Sequence, residues 1–176
     1  MDQGLAAVLG AGVGVLGTLG TAALTYAATR RQAMDHGRVQ HWQQLRDERK
    51  ETYLALLSAL EDFMFESGEF LVALKSTPSS ELVTESQKTA GDRLTDVYRQ
   101  CQRVDISGPS SMADLATKLR SAATRSFGYL DAHVRNETRL TLESVRKHSV
   151  ITTELAQVRG SFVEEARRLL ETFPSQ

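Results

Sequence analysis

"VRNETRLT", residues 134–141, is the stretch on which the architecture turns. It contains neither Gly nor Pro, yet the apolar spacing on either side weakens across it. If Asn136 or Thr138 caps a new helix here, the chain holds four helices beyond its N-terminal segment. If neither does, Ser111 to Phe173 forms one very long helix, and the protein is an extended helical coiled coil.

Helix lengths favour the break. Upstream, Val39, Trp42, Arg46, Arg49, Tyr53, Leu56, Leu60, Phe63, Ser67, Phe70 and Leu74 step by three and four, a heptad seam. Leu57, Met64 and Leu71 widen it into a stripe suited to a bundle. Arg46 and Arg49 interrupt the seam, either solvated or paired with Glu48 or Glu51 of a neighbouring helix. "STPSSE" at 76–81 ends this first helix, with Thr77 as cap and Pro78 at the first position of the second. Leu82, Val83, Ala90, Leu94, Val97, Cys101 and Val104 mark the inner face of helix two. "DISGPSS" at 105–111 is the next stop, where Ser111 and Asp114 resemble a capping box. Met112, Leu115, Leu119, Ala123, Phe127, Leu130 and Val134 line helix three. Beyond the disputed stretch, Val145, Ile151, Leu155, Val158, Phe162, Ala166, Leu169 and Phe173 line helix four. Helices two and three match the 50–75 part of helix one in length. A longer helix four would run back antiparallel to helix one and end near Trp42, which is expected to pack there. The expected fold is therefore all-α, an antiparallel four-helix bundle.

The N-terminal segment has a different character. From Gln3 to Thr29 there is no Asp, Glu, Lys or Arg. As a helix, Gly4 to Ala28 would span ~37 Å, enough for a hydrocarbon core of ~30 Å with some tilt. A soluble core helix of this length would show a polar stripe, and this one shows none. A cleaved secretory signal fits less well, because only the acidic Asp2 precedes the apolar run. Residues 1–31 are thus expected to be a transmembrane anchor, 32–49 a juxtamembrane helical stalk, and 50–176 a cytoplasmic bundle. Ala6, Gly10, Gly14, Thr18 and Ala22 recur every four residues, a ridge of small groups that lets two helices approach closely in lipid. Homo-oligomerisation through this ridge is expected.

Arg30, Arg31 and Arg38 follow the span and no Lys or Arg precedes it. This membrane-proximal basic set, by the positive-inside rule, places the N-terminus outside and the body in the cytoplasm of a single-pass inner-membrane protein. A single cysteine, Cys101, fits a reducing compartment. Residues 30–50 carry six basic and three acidic side chains, able to meet anionic headgroups of the bilayer. A net charge of -1 over 176 residues gives no global pull toward nucleic acid, and none is expected as a partner.

Chemistry is hard to find in the body. His36, His41, His133 and His148 lack metal-ligand spacing and are expected at the surface or its boundary. Cys101 lies on an inner face and behaves as a small hydrophobe. The glycines of residues 10–20 are not followed by GK[ST] and form no phosphate loop. No cofactor, metal or catalytic residue is expected, and the protein is not expected to be an enzyme.

The order of features resembles a group of short, uncharacterised actinobacterial membrane proteins. The shared parts are the Gly/Ala-rich span (Gly10 to Gly20), the Arg31-Gln32 exit, His41-Trp42-Gln43, and the Arg-rich stretch Arg46 to Tyr53. The likeness covers about the first third of the chain. It implies a bacterial membrane protein with a helical cytoplasmic body and carries over no functional residue. Two roles fit: a membrane-anchored scaffold that binds an unknown cytoplasmic protein, or a pore-forming, holin-like effector with Thr18, Thr21 and Thr25 lining a lumen.

Overall fold

The computed structural model describes residues 40–75 and 81–171. Those residues form four helices and no strand: α1 over 40–75, α2 over Glu81–Ser107, α3 over Ser110–Arg135, and α4 over Leu142–Glu171. The bundle belongs to a compact unit beginning at Arg46. Among the described residues, no helix is long and apolar enough to cross a membrane. The expected anchor (residues 1–31), its ridge Ala6, Gly10, Gly14, Thr18 and Ala22, the basic set Arg30, Arg31 and Arg38, the Thr77–Pro78 cap and Phe173 all lie outside the described residues.

Side-chain pairs fix an up-down-up-down arrangement. Arg49 Nε donates to Ser107 O at 3.3 Å, joining the start of the bundle part of α1 to the end of α2. A cation there also offsets the partial negative charge of a helix C-terminus. Between α2 and α3, Gln87 donates to Asp131 at 2.6 Å, and Cys101 Sγ donates to Ala116 O at 3.3 Å. Arg125 pairs with Glu154 at 2.6 Å between α3 and α4. The bundle closes where Tyr53 meets Phe162 edge-on, 5.7 Å between centroids, and where Glu61 pairs with Arg159.

The break within 134–141 is real. At the end of α3, Thr138 N–H bonds His133 O at 3.0 Å and Glu137 N–H bonds Val134 O at 3.1 Å. This pair of bonds is a Schellman motif, with Asn136 as C-cap and Glu137 in the left-handed position where glycine is usual. Glu137 has φ 49°, the one positive-φ non-glycine residue among those described. The motif's customary apolar contact is replaced by a hydrogen bond between His133 Nδ1 and Thr138 Oγ1 at 2.9 Å. Asn136 and Thr138 therefore end α3 rather than start α4. The N-cap is Thr141, whose Oγ1 accepts from Ser144 N–H at 3.1 Å while the two hydroxyls bond at 3.0 Å. Similarly, α3 starts from Pro109 with no side-chain cap, so Ser111 lies inside the helix.

The first-helix seam is buried from Tyr53 through Leu56, Leu60, Phe63, Ser67 and Phe70 to Leu74. Two expectations differ. Leu82 is exposed because the buried stripe of α2 starts at Val83, a turn of 100° away. Trp42, expected against helix four, is 48% exposed.

Two substitutions in the connections have opposite expected signs. Glu137→Gly removes the steric cost of a left-handed side chain and should raise unfolding free energy by about 1 kcal/mol. Gly108→Ala places a Cβ 2.7 Å from Val104 O and should lower stability, by roughly 1–3 kcal/mol. Denaturant titration of both variants checks the pair; equal effects would contradict this description of the connections.

Candidate functional site

The buried core falls into two clusters, with the half-buried Phe127 packed against both. One apolar cluster runs from Tyr53 to Phe63 on α1, with Leu119 and Ala123 of α3 and Leu155 and Phe162 of α4. A second gathers Phe70, Ala73 and Leu74 with Val83, Ala90 and Leu130. Between them in sequence order on α1 and α3 lie Ser67 and Ser126, both buried, and α4 contributes the buried His148. This polar layer is where a bundle would normally place leucine.

Each member arrives by helical register. Ser67 sits four residues after Phe63 and three before Phe70, a seam position. Ser126 sits three residues after Ala123 and four before Leu130 on α3. His148 stands seven residues before Leu155, which stands seven before Phe162. At 4% exposure it is a core residue, not the surface or boundary residue expected of it. Ser144, one turn earlier, also faces inward. Apolar periodicity pointed to Val145 and Ile151, which are only half-buried; a heptad counted back from Phe162 would have found His148.

Ser126 Oγ and His148 Nε2 share a hydrogen bond of 3.1 Å. Tyr129 stacks on the imidazole at 6.2 Å between centroids, and its ring also meets His133 edge-on at 5.3 Å. Burial, with no compensating charge, pushes the His148 pKa below the ordinary imidazole value. Ser67 differs from its neighbours: its hydroxyl is buried and has no hydrogen-bond partner among the described residues.

A cleft of about 370 Å³ opens beside this layer, between α1 and α4 with Ser126 of α3 at its floor. Phe63, Met64, Leu71, Val145 and Leu155 supply its apolar walls. Ser67, His148, Ser149 and Thr152 supply its polar groups, and Gly68 completes the α1 side. Among the described residues, no Asp, Glu, Lys or Arg lines it.

The Ser126–His148 contact has two members of a nucleophilic triad without the setting that activates one. No carboxylate bonds the imidazole among the described residues, and both side chains project from helix interiors, where backbone N–H groups are already engaged. Cys101 is further from reactivity still. Its thiol is pushed up to about 12, chiefly by burial. Among the described residues, no group of three or more His, Cys, Asp or Glu gathers at metal-binding distance. What the layer can do is present hydrogen-bonding oxygen and nitrogen to an uncharged guest in an apolar wall.

The buried imidazole predicts a pH dependence. The unfolded chain, with a histidine pKa of ~6.5, binds the proton more readily than the native state. Stability is therefore lost as pH falls below ~6.5 and is fully present above it. Unfolding titrations between pH 5 and 8 should show this slope, and His148→Gln should flatten it. An unchanged slope in the variant would contradict the burial of a neutral His148.

No family model, curated protein or solved structure matches this chain.

Proposed function

We propose that this protein is a membrane-tethered helical interaction module that pairs with a second copy of itself and holds a partner protein at the cytoplasmic face. The observation that carries the pairing is a set of three exposed apolar side chains on one side of α1, with Ser58 and Glu61 between the first two. Leu54, Phe65 and Val72 are exposed there, Phe65 by 68%. Their spacings of 11 and 7 residues keep them within ~20° of one another around the helix. Large apolar side chains repeated on one side of a helix give a second helix apolar area to bury.

A second copy is the occupant this reading commits to, because two chains associating through the small-residue ridge Ala6, Gly10, Gly14, Thr18 and Ala22 would raise the local concentration of a second α1 face. Burying a phenylalanine and two aliphatic side chains on each copy adds apolar contact where the anchors already pay the cost of association. The charge-free residues 3–29 and the arginines at 30, 31 and 38 support the tether and its orientation.

Phe65→Cys in the full chain should crosslink between copies in membranes under mild oxidation. Lys118→Cys, exposed on α3, should not. Gly10→Leu with Gly14→Leu should reduce the Phe65→Cys product while leaving the protein in the membrane. A reporter fused after Gln176 should read as cytoplasmic, and expression should leave the membrane potential intact. Equal crosslinking at both sites would overturn the pairing, and prompt depolarisation would favour a pore.

A further inference from the structure

We propose that the cleft between α1 and α4 binds a small, uncharged, mainly apolar molecule whose single hydroxyl group bonds Ser67 of the cleft lining. This site is independent of the membrane tether and of pairing between copies.

Three observations converge on it. The first is Ser67 itself, 3% exposed, in the cleft lining, with a hydroxyl that no group among the described residues satisfies. Buried polar groups are overwhelmingly paired, and an unpaired one is costly. In a helix the easy remedy is a bond to the carbonyl one turn back, which other hydroxyls here use: Thr89 bonds Glu85 O and Ser161 bonds Gln157 O. Ser67 does not.

The second is Gly68, beside it in mid-helix. A Cβ built there meets nothing within 4 Å, so no close approach of a neighbouring helix requires glycine. Gly91 contrasts with it, because its Cβ would already touch the Phe127 ring at 3.5 Å. A mid-helix glycine weakens a helix relative to alanine. At Gly68 it leaves the wall of the cleft open.

The third is the character of the lining. About 370 Å³ lies within the span of small-molecule sites. Its walls are Phe63, Met64, Leu71, Val145 and Leu155, and among the described residues it contains no ionised carboxylate, ammonium or guanidinium group. A carboxylate or amine would enter without a counter-charge and lose its hydration. A neutral molecule loses little. A hydroxyl both donates and accepts, so it meets the serine in either role. His148, held by Ser126, lies within the same lining and reports on occupancy.

The test uses the full chain with isotope-labelled histidine, its His148 ring signals identified by their loss in His148→Gln. The probes are p-cresol, its hydroxyl-free isostere p-xylene, and p-toluate as the charged analogue. Titration with p-cresol should shift the His148 signals saturably, p-xylene should bind about tenfold more weakly, and p-toluate should leave them unmoved. Ser67→Ala should erase the advantage of p-cresol over p-xylene, and Gly68→Leu should abolish both shifts. Should Gly68→Leu fail to fold, the comparison of p-cresol with p-xylene on the unaltered chain and on Ser67→Ala decides alone. No saturable shift with p-cresol, equal binding of p-xylene, or a response that survives Gly68→Leu would overturn the proposal.

Discussion

Two backbone hydrogen bonds at the end of α3, from Thr138 N–H to His133 O and from Glu137 N–H to Val134 O, turn the chain back on itself. With that reversal, α4 returns alongside α3 and closes on α1 through Tyr53–Phe162 and Glu61–Arg159. Without it, the apolar faces of α3 and α4 would be laid end to end. The reversal is built without glycine: Glu137 occupies the left-handed position, and His133 and Thr138 substitute a side-chain hydrogen bond for an apolar clasp. Thr141 then caps α4 by accepting from Ser144 N–H, with the two hydroxyls bonded to each other, so the turn is held from both ends.

The closed bundle has two apolar clusters joined by Phe127, with buried polar side chains between them on α1 and α3. Ser67, Ser126 and His148 occupy positions that leucine would fill, and the cleft opens beside the two small serines. Filling such a layer with apolar groups is a common way to stabilise a bundle. Its polarity is a local departure from core rules, of the kind associated with sites rather than scaffolding. The imidazole is anchored by Ser126 and Tyr129, whereas Ser67 is left unsatisfied. The surface of α1 also carries the exposed apolar side chains Leu54, Phe65 and Val72.

Much of the bundle was legible in the sequence because helical burial follows apolar spacing. The seam from Tyr53 to Leu74 and the α2 stripe from Val83 to Val104 are buried as their periods require. The existence of a break within 134–141 followed from matched helix lengths. Its chemistry did not, since a Schellman motif with glutamate in place of glycine leaves no residue-type signature. The polar layer was half legible: Ser67 was visible as a seam position, while His148 was hidden because an apolar pattern skips polar residues. Ser67's lack of a partner and the opening at Gly68 depend on where neighbouring helices sit, which no single-helix pattern encodes.

The reversal after α3 can be measured directly. Spin labels at Thr117→Cys and Gly160→Cys lie on exposed positions of α3 and α4, and the native Cys101 is buried from the reagent. If the chain turns at 136–141, the two helices pack side by side and the labels should lie within about 30 Å, given interaxial distances of 8–10 Å plus the label arms. If α3 and α4 were one continuous helix, 43 residues at 1.5 Å each would separate the labels by about 65 Å. A dominant distance near the longer value would contradict the closed bundle and remove the cleft with it.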